Sequence, residues 1–139
     1  MTDRRAPAAL AALAAVALVA AGCGARSSAP YTPKGTISCL KGKGFLQITT
    51  KGSKLGPIAA FAQYGGLQAR TADKNVVTIA FAADQAAAAA TKKAYRSAAT
   101  PFYRQRMDEI MQSQRNAVMV WTLAPTQQQI DDVESCLHS

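Results

Sequence analysis

Residues 36–139 predict an α+β fold: a small antiparallel sheet in split βαβ order, with one short helix before it and one after it. Three observations carry that class. Apolar residues alternate over four short stretches, the segments between them repeat at helical spacings of three and four, and two of the alternating stretches meet at a three-residue polar turn.

In chain order, Thr36 to Lys41 starts a short helix with Thr36 as its cap and Ile37 and Leu40 on one side; Gly42 and Gly44 stop it. Phe45 to Thr50 alternates as a half-buried strand, with Leu46 and Ile48 on one face and Phe45, Gln47 and Thr49 on the other. Leu55 to Tyr64 suits a second helix, entered through Pro57, packed by Ile58, Phe61 and Ala62, and ended by Gly65-Gly66. Leu67 to Thr71 and Val76 to Ala82 form a hairpin around Asp73-Lys74-Asn75, burying Leu67, Ala69, Val77, Ile79 and Phe81.

Asp84 caps the plainest helix, Asp84 to Ala98, whose small-residue stripe is Ala87, Ala90, Ala94 and Ala98, with Lys92, Lys93 and Arg96 pointing away. Thr100-Pro101 restarts a helix, threonine as cap and proline in the first turn, with Tyr103, Met107, Ile110 and Met111 facing the core. Ala117 to Leu123 is the last strand. It places Val118 and Val120 on one face and Met119, Trp121 and Leu123 on the other, so both faces need cover. The terminal helix from Gln127 to Leu137 supplies it: Thr126 and Gln129 make a capping box, and Ile130, Val133 and Leu137 line one side beside Cys136. Strand, helix, hairpin, helix and strand in this sequence are the ferredoxin-like order.

Ahead of the domain, Arg4 and Arg5 precede an apolar run from Ala8 that ends in Val19-Ala20-Ala21-Gly22-Cys23. Charge, grease and small residues in that order are the layout of an export signal. Ala8 to Ala21 as a helix is only about 21 Å long, against a hydrocarbon core of about 30 Å, so a permanent spanning helix is the poorer reading. The ending Ala21-Gly22-Cys23 resembles the lipobox of bacterial lipoproteins, with Ala20 where that family prefers leucine. The resemblance covers the first sixth of the chain. It implies that residues 1–22 are a signal peptide, that Cys23 is the first mature residue and carries a diacylglycerol, and that the protein sits at the cell membrane or in the envelope, outside the cytoplasm. Ordinary cleavage near Ala21 is the alternative; it leaves Cys23 a plain thiol and the protein secreted. Residues 23–35, rich in serine, glycine and proline, read as a flexible tether.

Cys23, Cys39 and Cys136 are an odd count, awkward in an exported protein. Lipidating Cys23 leaves Cys39 and Cys136 as one disulfide across the domain, the alternative being two buried reduced thiols. The net charge of +8 includes Arg4, Arg5 and Asp3; losing two positive charges and one negative leaves +7. Between Asp3 and Asp73 no acidic residue occurs, whereas Arg26, Lys34, Lys41, Lys43, Lys51, Lys54 and Arg70 are all positive. Such a front is either a solvated surface or a patch for anionic lipid headgroups, wall polymers or an envelope protein; an exported chain rarely meets nucleic acid.

Chemistry is sparse. His138, the only histidine, is penultimate, so no firmly held base stands beside a nucleophile and no catalytic residue is assigned. Asp131, Asp132 and Glu134 read as a solvated helix surface rather than a metal site, and Gly42, Gly44, Gly52 and Gly56 lack phosphate-loop spacing; neither metal nor cofactor is assigned. The functional expectation is a noncatalytic, membrane-anchored interaction domain. The second expectation is a secreted carrier or sensor that holds a small apolar ligand between the sheet and the terminal helix, around Met119 and Trp121.

Overall fold

Thr32, extended at φ −134°, accepts the Gly35 N–H on its hydroxyl at 3.3 Å, and Pro33 supplies the first helical φ. Helix α1 (Pro33–Gly42) therefore starts three residues before Thr36, and the cap is Thr32. Thr36 lies inside the helix, wholly buried, its hydroxyl donating to the Thr32 carbonyl at 2.8 Å. The computed structural model describes residues 29–139; Cys23, the signal and the first part of the expected tether lie outside them.

Strand β1 (Leu46–Thr49) pairs antiparallel with β2 (Gly66–Arg70), but Leu46 lies opposite Arg70 and Thr49 opposite Gln68, one residue too many on β1. Gln47, at φ +49°, takes up the extra residue as a bulge. The expected alternation is thereby broken: Phe45 is buried, Leu46 is 49% exposed, and past the bulge Ile48 packs on the same core as Phe45.

Helix α2 (Gly52–Ala60) is two turns rather than one rod. Gly56, at φ +71° and ψ 164°, breaks it before Pro57, and the chain folds back until a Cβ on Gly52 would stand 3.5 Å from that of Ala60. The buried side is Leu55 and Ala59, and Phe61, expected to pack, is 89% exposed. Because α2 returns the chain to the end of the sheet it left, β2 runs antiparallel beside β1; a parallel crossover would need a connection spanning the sheet.

The hairpin forms as expected: β2 and β3 (Val76–Phe81) pair with Leu67 opposite Ile79 and Ala69 opposite Val77, and all five predicted side chains are fully buried. Asp84 caps α3 (Gln85–Ala98) through the Ala87 N–H at 2.8 Å. The buried edge is one residue out of step with the expected stripe: Ala88 is buried and Ala87, Tyr95 and Ala99 pack on the core, while Ala90 and Ala94 face solvent. Helix α4 (Pro101–Ile110) starts after Thr100, whose hydroxyl makes no cap bond, and buries Met107 and Ile110 but leaves Tyr103 43% exposed. Met111 is not helical. It opens β4 (Met111–Gln114), an unexpected edge strand joined by Arg115-Asn116 to β5 (Ala117–Trp121). Helix α5 (Gln127–Ser135) begins with the predicted Thr126–Gln129 capping box.

The fold is α+β, a five-stranded antiparallel sheet in the order β1-β2-β3-β5-β4 with a helix at each end of the described chain. A split βαβ unit is present once, later than expected: β3, the α3–α4 crossover and β4, with β5 between the two parallel strands. The first half of a ferredoxin-like sheet is absent, because α2 folds back and β1 sits at the edge, paired only with β2. Register places Leu67, Ala69, Val77, Ile79, Phe81, Ala117, Met119 and Trp121 on one face, in one core with Leu40 of α1 and Val133, Cys136 and Leu137 at α5. The other face, including Thr78, Ala80 and Val120, lies under α2, α3 and α4. The result is two helices, a sheet and three helices, in layers.

Candidate functional site

Cys39 and Cys136 are bonded, with their Cα atoms 5.2 Å apart across a sequence separation of 97. The bond joins α1 to the end of α5 over the first sheet face. Lys43 and Asp132, at 3.1 Å, and Gln129 and Asp73, at 3.1 Å, tie the same helices to each other and to the hairpin turn. Hydrogen bonding from Lys43 holds the Asp132 carboxyl below its ordinary range, and the Thr71 hydroxyl does the same for Asp73. Met119 is fully buried and Trp121 is 1% exposed, both packed on the face that α5 covers.

Two open clefts lie elsewhere. A groove of about 510 Å³ on the second sheet face runs between the fold of α2 and helices α3 and α4, lined by Leu55, Ile58, Met107 and Ile110 and reaching Trp121. Beneath its wall the Tyr95 hydroxyl is buried with no partner, and burial pushes its pKa up to about 12. The ligand space expected between the sheet and α5 around Met119 and Trp121 is thus filled by those side chains themselves, and the open groove lies on the opposite face. A wider cleft of about 790 Å³ separates the start of α1 from α2, with Lys34, Thr50, Ala60 and Tyr64 on its walls.

The end of the sheet where the chain enters is built around Asn116. Its side-chain carbonyl accepts the Tyr31 N–H at 2.8 Å, and its amide donates to the carbonyls of Tyr31 at 3.0 Å and Ala82 at 2.9 Å. Arg115 lies over the Tyr31 ring at 4.4 Å and donates to the Ala29 carbonyl at 2.7 Å, which also takes the Ser139 hydroxyl at 2.9 Å. Residues 29–35, read as tether, are bonded into the domain through these contacts and the Thr32-to-His138 backbone bond of 2.8 Å. The same end exposes Phe61 by 89% and Tyr64 by 41%. Tyr64 shares one cleft with Lys34 and another with Pro30 and Arg115. None of this cluster was marked by sequence reasoning; only the basic run from Arg26 to Arg70 pointed toward it.

The chain matches no protein-family model, no curated protein and no solved structure. Its chemistry rests on the residues alone. Among the described residues no group of three or more His, Cys, Asp or Glu is arranged to hold a metal ion, and no helix is long and apolar enough to cross a membrane. His138 is exposed, and Asp131 and Glu134 on α5 make no ion pair with another described residue.

Proposed function

We propose that the protein is a noncatalytic, lipid-anchored envelope protein whose domain is displayed outside the cytoplasm to contact a protein or an anionic polymer. The observation that carries this reading is the ending Ala21-Gly22-Cys23 of the apolar run, which places a cysteine where a lipoprotein signal has its acylated one. The disulfide adds support. Cys39 and Cys136 are used by each other, so of three cysteines Cys23 alone is left for another role, and a bonded pair fits an oxidising compartment. Anchoring by one thioether-linked diacylglycerol puts two acyl chains in the bilayer, which suffices for stable attachment. Replacing Cys23 by alanine is expected to move the protein from the membrane to the soluble fraction, and the intact mass of the wild-type protein to exceed that of the cleaved chain by a lipid. Unchanged fractionation, or an unmodified mass, refutes the anchor.

A carrier of a small apolar ligand is the second reading, favoured by the groove between α2 and α4 and its reach to Trp121. An environment-sensitive fluorescent fatty acid seated there is expected to brighten, and Ile58→Glu in the groove wall to abolish the gain. An unchanged spectrum at saturating concentration removes this reading.

A further inference from the structure

The exposed aromatics at the chain-entry end acquire a role when their position is set against the anchor. Ala29 is pinned by Arg115 and Ser139, so only five residues, 24–28, and the six Cα-to-Cα steps they make, separate a lipid at Cys23 from a fixed point of the domain. Fully extended, they reach about 20 Å. The domain end that carries Ala29 therefore stays within that distance of the bilayer surface, whatever the conformation between.

That end has the composition of an interfacial contact. Phe61 is 89% exposed although nothing in its helix requires it there, and Tyr64 stands beside it, 41% exposed. Aromatic rings of this kind settle at the headgroup level of a bilayer. Lys34, Lys51 and Arg115 are exposed around them and make no ion pair with a described residue, against the single carboxylate of Asp84 at the same end. The remaining described carboxylates lie away from it, on the hairpin turn, α4 and α5. The charge asymmetry suits anionic lipid.

We infer that this end, with Phe61 and Tyr64 dipping into the headgroups and Lys34, Lys51 and Arg115 over the phosphates, is a second, noncovalent contact with an anionic bilayer surface that holds the domain upright. The inference rests on the anchored reading for its orientation but not for the chemistry of the surface. The opposite end, marked by Asn75 and the 56% exposed Leu123, then stands farther out by the length of β3, about 20 Å.

The test compares Phe61→Trp with Leu123→Trp in the full mature protein, on vesicles containing brominated phosphatidylglycerol. Trp121 is sealed and contributes the same background to both. The Phe61→Trp emission is expected to be quenched roughly twofold in brominated vesicles, and the Leu123→Trp emission to be unchanged. Near-ultraviolet circular dichroism checks that both variants are folded. Equal quenching, or quenching at Leu123→Trp alone, in a protein whose mass shows the lipid, overturns the inference and leaves the anchor standing.

If the mass shows no lipid, the anchored reading fails and the surface is judged by itself through partition of the unlipidated chain. Lys34→Gln/Lys51→Gln is then expected to weaken binding to anionic vesicles roughly thirtyfold, with no binding to neutral ones. Indifference to lipid charge, or retention on a soluble polyanion without partition onto vesicles, overturns the inference.

Discussion

Asn116 shows how much one side chain settles at the chain-entry end. It is 3% exposed, and its amide bonds both backbone groups of Tyr31 and the carbonyl of Ala82, while its own carbonyl takes the Ala82 N–H at 2.8 Å. Alanine at this position would keep the main-chain bond from the Ala82 N–H but strand the side chain's three partners, the Tyr31 N–H and the carbonyls of Tyr31 and Ala82, and a buried group left without its partner costs about 1 to 3 kcal/mol. Asn116→Ala is therefore expected to lower the stability by about 3 kcal/mol, read as a lower urea midpoint, and to expose the bond after Lys34 to proteolysis. Asn116→Asp, which keeps the acceptor but turns a buried carboxylate oxygen onto the carbonyls of Tyr31 and Ala82, should lower the midpoint at least as far as alanine does. Nothing in the local sequence announced this role, because an asparagine after arginine in a two-residue turn looks like any other turn residue. The placing of Phe45 and Ile48 on one side was equally hidden: alternation puts them on opposite faces, and only the extra residue at Gln47 brings them together.

Elements were legible where side chains contrast. Leu67, Ala69, Val77, Ile79 and Phe81 alternate with Gln68, Arg70, Thr78 and the smaller Ala80 around a polar turn, and their register follows from that pattern. In α3 the run from Ala86 to Ala90 offers no contrast, so two stripes one residue apart fit equally well, and Tyr95 alone, packed on the core, selects the actual one. Strand β4 was missed for a related reason. Met111 continues the helical spacing of Met107 and Ile110, and Gln112, Ser113 and Gln114 carry no strand preference; what makes them a strand is the neighbouring β5 edge. The capping box of α5 was read correctly, but its tie to the hairpin turn was not. Asp73 accepts from Thr71 and from Gln129, and the Thr71 bond above all lowers its pKa below the ordinary 3.8. A carboxylate whose folded pKa lies below its unfolded one adds stability above the unfolded value and loses it as the pH falls through the folded one. Asp108, lowered by its bond to Arg96, and Asp132, lowered by Lys43, act in the same direction. Stability is thus expected to be flat down to about pH 4 and to decline below it. Asp73→Asn should make the decline shallower without moving its onset upward, as measured by thermal unfolding across the acid range.

At the scale of the molecule the sheet is a wall between two unequal layers, and the two are held in different ways. Helix α2 connects β1 to β2, helices α3 and α4 form the crossover from β3 to β4, and together they close over Ala80, Val118 and Val120. Helices α1 and α5 are the first and last helices of the described residues. They bury Leu40, Val133 and Leu137 on the other face, and no loop joins one to the other. The disulfide supplies the missing connection. Cys136 is fully buried and Cys39 half-buried, so the folded domain restricts a reductant to the Cys39 side of the bond. With a separation of 97 residues, the loop-entropy account gives a stabilisation of about 4 to 5 kcal/mol from the restricted unfolded chain. For a domain of this size that is a large part of a total of about 5 to 15 kcal/mol. Cys39→Ala/Cys136→Ala is therefore expected to lower the urea midpoint sharply and to free the α1–α5 layer first, seen as faster amide exchange in Pro33–Gly42 and Gln127–Ser135 than in α3. In the wild-type protein dithiothreitol should reduce the bond slowly in buffer and rapidly near the urea midpoint. Equal reduction rates in the two conditions would mean that the half-buried Cys39 sulfur is open to attack in the folded protein, and that unfolding is not needed to break the bond.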